Sequence, residues 1–125
     1  MLAALADFIY LFKPVPLLRN VLSFNLYLAA PSSIIAAILG WSLAAVEGVT
    51  PDLKGTLYWH RWLGTSTAAL ALILLVMWHF EYTKSKSGTA VFRLLLFCGA
   101  LLVAVTGHLG GQLVYGVDWY EWYQK

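Results

Sequence analysis

The stretch TAVFRLLLFCGALLVAVTGHLG, residues 89–110, decides the fold. A bilayer core of roughly 30 Å needs about 20 apolar helical residues, and this run meets that length with Arg93 as its one charge. Two further segments meet it. The first runs over residues 21–46 and is broken by Pro31-Ser32-Ser33, where a kink is expected whose freed carbonyls are met by nearby Ser or Asn groups. The second covers residues 57–82. Gly110-Gly111 supplies a helix stop for the third span. Residues 2–12 are apolar but too short to cross, and Lys13-Pro14-Val15-Pro16 closes them off. The expected fold is an all-α membrane protein, with three transmembrane helices in an up-down bundle preceded by a short interfacial or truncated helix. Residues 1–125 form one membrane domain, and residues 111–125 form an aromatic interfacial tail.

Composition agrees with this reading. Of 125 residues, 61% are hydrophobic and 11% charged, outside the range of soluble domains. Cys98 is the single cysteine, which excludes an internal disulfide and covalent c-type haem attachment within the chain. Eight basic and six acidic residues form no basic patch with interleaved aromatics, so nucleic acid is not an expected partner. The start lacks a positive n-region and places Asp7 where an apolar h-region belongs, so no cleaved signal peptide is expected.

Lys and Arg near the span ends set the orientation. Lys13, Arg19, Lys84, Lys86 and Arg93 fall on one side, Lys54, Arg61 and Lys125 on the other. The first group is expected in the cytoplasm, with the 47–56 loop and the C-terminus outside. Tyr58, Trp59, Trp62 and the tail aromatics form a belt at one interface; Trp78, Phe80 and Tyr82 form one at the other.

Ionisable groups inside a membrane are expensive and mark candidate sites. The chain has three histidines, His60, His79 and His108. A hairpin centred near residue 86 puts residues of equal depth at numbers summing to about 171. His60 with His108 falls about three short, roughly 4–5 Å of depth, so the two can sit level on adjacent helices. His79 lies roughly 28 Å further along the helix of His60, beside Glu81 and Tyr82, and is assigned a structural hydrogen-bonding role.

Small residues flank both members of the pair. Gly64, Thr67 and Ala71 follow His60 at helical spacing, and Ala104 and Ala100 precede His108. Such faces suit close helix packing. They equally leave space for a flat macrocycle. Neutral His60 and His108 would give the six-coordinate ligation of an electron-transfer b haem, and Arg61 would face its propionates. Gly64, Gly107, Gly110 and Gly111 complete the candidate cofactor surface. A chlorophyll-type pigment held through magnesium by one histidine is the alternative cofactor.

The elements LYWHRWLG (57–64) and TGHLGGQLVYG (106–116) resemble motifs of a four-helix bacterial membrane family of largely unassigned function. Its planctomycete and related members carry H-R-W-L-G and G-H-L-G-G elements, often beside cytochrome c domains. The resemblance spans about residues 20–118. It implies a redox-associated membrane module, with b haem on His60 and His108. Family members usually begin with another span bearing an early His-Phe-Pro element, and residues 2–12 read as the last turns of such a span. Two functions are therefore expected. One is a small b-type cytochrome near the outer leaflet, exchanging electrons with a separate partner such as a periplasmic c-type cytochrome. The other is a non-catalytic accessory subunit packed among other subunits of a respiratory or photosynthetic complex. Neither reading makes it a stand-alone enzyme.

Overall fold

The computed structural model describes residues 2–12, 15–46 and 49–116. Those residues form four helices: α1 (Leu2–Phe12), α2 (Pro16–Val46), α3 (Lys54–His79) and α4 (Lys86–Tyr115). One-turn 3₁₀ segments, Pro51–Leu53 and Tyr82–Lys84, precede α3 and α4. Three segments, Pro16–Ala45, Pro51–His79 and Lys86–Tyr115, are long and apolar enough to cross a bilayer. Residues 117–125, most of the expected aromatic tail, lie outside the described residues, as do Lys13, Pro14 and Glu47.

α2 and α4 outrun their expected limits, while α3 is displaced, beginning three residues before the expected 57–82 at Lys54 and ending three short of it at His79. α2 begins at Pro16, because a proline at the first helical position lacks only an N–H that would have been unpaired anyway. Pro31 leaves α2 one continuous assigned helix. Ser32 Oγ donates to the Leu28 carbonyl at 2.7 Å and Ser33 Oγ to that of Ala30 at 2.9 Å. The expected relief therefore falls on neighbours of the Tyr27 carbonyl, the one that Pro31 deprives of a partner. Gly110-Gly111 is not the expected stop either: α4 passes through both glycines and ends where Gly116 N–H bonds the Gln112 carbonyl at 2.9 Å. A chain inside a bilayer has no water for freed peptide groups, so the helix persists until it reaches the interface.

α3 is the central element, packing on both α2 and α4. α1 packs on α2 and α4 and so closes one end of the bundle. The core sits there, with Ala4, Leu22, Leu26, Leu74, Phe92 and Leu96 buried together. Asp7 is 6% exposed and its carboxylate accepts from Arg93 Nε at 3.1 Å, tying α1 to α4. Burial drives the Asp7 carboxyl above its ordinary 3.8, against the opposing pull of Arg93. α1 rises only about 16 Å over its 11 residues. Beyond it, the gap between α2 and α4 is uncovered by described residues.

The α3–α4 turn is locally specified. Glu81 adopts the left-handed conformation (φ 56°) and pairs with Lys84. Ser85 caps α4 by accepting from Gly88 N–H at 3.0 Å. A Cβ on Gly88 would collide with the Tyr82 carbonyl and crowd Ser85 Oγ.

Two predictions follow from this packing. Gly88→Ala should cost about 1–3 kcal/mol, read as a lowered thermal midpoint in detergent. Asp7 takes up its proton at higher pH folded than unfolded. Its contribution therefore favours the fold most below pH 3.8 and declines as pH rises through the raised folded value. The midpoint difference between wild type and Asp7→Asn should shift in that sense across an acid-to-neutral series.

Candidate functional site

The uncovered gap between α2 and α4 is a cleft of about 310 Å³ floored by α3. Small residues form part of each wall: Ala36, Ala37 and Gly40 from α2, Gly64 from α3 and Gly107 from α4. Its polar groups are Ser33, His60, Arg61, Thr65, Thr67 and Thr106, with Trp41 beside Arg61.

His60 lies against α4. Its Nδ1 is 3.0 Å from the Thr106 carbonyl. A carbonyl only accepts, so Nδ1 carries the proton in this bond, and in the neutral form of the ring the lone pair is on Nε2. The helical carbonyl has a second lone pair for this bond. Gly110 makes room for the ring, since a Cβ there would stand 3.0 Å from His60 Cε1. One turn deeper, Gly64 approaches Thr106, with a would-be Cβ 3.6 Å from the threonine methyl. Small residues thus let the two helices meet closely.

Arg61 is held differently. Its Cζ lies 3.6 Å above the Trp41 ring, a cation–π contact worth about 0.5–2 kcal/mol depending on desolvation. Trp41 is oriented by its Nε1–H bond to Thr65 Oγ1 at 2.9 Å and by an edge contact with Trp62 at 5.6 Å. Thr65 in turn donates to the Arg61 carbonyl at 2.8 Å. Two buried side-chain atoms have no hydrogen-bond partner among the described residues, Arg61 Nε and Thr106 Oγ1, and both belong to this cleft. Leaving each unmet costs about 1–3 kcal/mol.

The expected depth register holds, and the expected pairing does not. His60 touches α4 at Thr106 and Gly110, so it is level with position 108. At about 100° per residue, however, His108 points roughly 160° away from both of those residues. Its exposed ring, with Nε2 3.3 Å from Gln112 Nε2, stands on the far side of α4. The body of α4 separates the two imidazoles. Bis-histidine ligation of one haem by His60 and His108 of a single chain therefore does not fit this arrangement. Of the other candidates, Arg61, Gly64 and Gly107 line the cleft, Gly110 abuts the His60 ring, and Gly111 lies half-buried on α4. His79 accepts or donates a 2.9 Å hydrogen bond with Tyr27 OH of α2.

Sequence reasoning missed Trp41, Thr65 and the Asp7–Arg93 pair. An Arg in the first turns of an apolar span calls for an aromatic or carboxylate partner, and that requirement was the available signal. The contacts separate two neighbouring glycines experimentally. Gly107→Ala meets open space and should raise the thermal midpoint, by up to about 0.5–1 kcal/mol of helix propensity. Gly110→Ala should lower it by displacing His60.

No curated protein and no solved structure matches the chain. The family described as "Predicted membrane protein (DUF2231)" matches residues 1–119, nearly the whole sequence. With three helices able to span a bilayer and this match along its length, the chain belongs to that family of predicted membrane proteins.

Proposed function

We propose that the chain is a small redox-associated membrane subunit whose cleft holds b haem through His60 alone. One observation carries this reading: the Nδ1–H bond to Thr106 fixes the tautomer that leaves Nε2 available, the second-sphere arrangement of a metal-ligating histidine. The rest of the cleft suits such a cofactor. Its walls are small and apolar, and Arg61 brings a cation with an unmet N–H beside them, matching a propionate. Bound haem would supply one-electron chemistry. This chain's contribution is ligation by His60, a dry apolar wall, and charge compensation by Arg61. In this reading the protein sits in a bacterial inner membrane with its Lys- and Arg-rich end in the cytoplasm. It exchanges electrons with neighbouring subunits or a periplasmic c-type cytochrome.

A second reading rests on the same gap. The cleft continues the line of α1 between α2 and α4, so a helix of a neighbouring subunit could fill it, making the chain an accessory subunit.

The test is an absorption spectrum of the purified protein from haem-sufficient cells. Reduced-minus-oxidised b-type bands should vanish in His60→Ala and persist in His108→Ala. Loss in both variants would restore bis-histidine ligation. Chlorophyll-like bands would assign a pigment. A colourless, folded wild-type protein would favour the accessory-subunit reading.

A further inference from the structure

A second concavity, of about 320 Å³, lies at the opposite end of the bundle between the start of α2 and the end of α3. Arg19, Asn20 and Ser23 line it from the first two turns of α2, while Trp78, His79 and Glu81 close it from α3 and the following turn. We propose that it is a lipid headgroup site that takes the phosphodiester of an anionic phospholipid.

The charges and donors point to an anionic oxygen ligand. Glu81, the one acid on the wall, is paired with Lys84. Arg19 has no carboxylate partner among the described residues, and its guanidinium rests 5.3 Å from the centre of the Trp78 ring. Trp78 is itself fixed by its Nε1–H bond to Ser23 Oγ at 3.2 Å, and the Ser23 hydroxyl proton remains available to donate. The Asn20 amide, one residue from Arg19, makes no hydrogen bond to the described residues. Tyr27 and His79 satisfy one another across the floor. The cleft therefore offers one uncompensated cation and two neutral donors, the complement of a singly charged phosphodiester.

Its position selects a lipid over a soluble anion. The site lies where two spanning helices end, at headgroup depth, and Phe24 and Phe80 stand 68% and 76% exposed nearby, as surfaces for acyl chains. Basic pockets between helices at a membrane edge bind anionic headgroups in this way.

The experiment is native mass spectrometry of the full chain released from mixed micelles, comparing retained phosphatidylglycerol with phosphatidylcholine. Wild type should retain phosphatidylglycerol preferentially. Arg19→Gln should weaken that retention about five- to tenfold, Asn20→Ala should weaken it less, and Lys86→Gln, a cation outside the cleft, should leave it unchanged. Circular dichroism of each variant establishes that the helices are intact. Equal retention of the two lipids, or an unaffected Arg19→Gln, would overturn the proposal. So would glycerol 3-phosphate competing as well as the lipid, which would make this a soluble-anion site.

Discussion

The bond from His60 Nδ1–H to the Thr106 carbonyl fixes how α3 and α4 face each other, and the rest of the open end depends on it. The imidazole can reach a backbone carbonyl of the next helix only because that helix presents Gly110 beside it. Gly64 and Thr106 repeat the close approach one turn away. Once α4 is held in this rotation, Thr106 turns into the cleft, Gly107 lines it, and His108 leaves from the opposite side. A partly buried imidazole wedged between two helices gains more from a fixed carbonyl than from a mobile partner.

The two ends of the bundle solve the burial problem differently. Where α1 is present, the gap between α2 and α4 is filled by Ala4, Leu22, Leu26, Phe92 and their neighbours, and the cation Arg93 meets a carboxylate. Beyond α1 no described residue fills the same gap, and its cation Arg61 meets an indole face while its Nε has no partner among the described residues. Polar atoms left unpaired in an apolar setting are costly enough to point to a missing partner. Both such atoms among the described residues, Arg61 Nε and Thr106 Oγ1, belong to residues that line the cleft.

Much of the architecture was legible from hydropathy and length, because a bilayer allows so few alternatives. Helix ends were less legible: Gly110-Gly111 reads as punctuation in a soluble chain but continues as helix here, where stopping would strand peptide groups. The site was legible in depth and hidden in rotation. Counting along the hairpin placed His60 and position 108 level, yet depth says nothing about which face turns inward. The face that α4 gives to α3 runs through Phe92, Leu96, Gly99, Thr106 and Gly110, a three-four spacing that was readable in the sequence. Following the alanines from His108 instead selected a stripe that leads to the far side of the helix. Trp41 was obscured because nothing local marks an aromatic as the partner of an Arg twenty residues away.

The most direct test of this account is ¹⁵N NMR of the histidine side chains in the metal-free protein, embedded in bilayers. The account predicts that His60 is a single neutral tautomer protonated at Nδ1, with the shift of an N–H bonded to a carbonyl, and that this signature survives His108→Ala. A His60 protonated at Nε2, or one exchanging freely between tautomers, would contradict the α3–α4 seam on which the cleft depends.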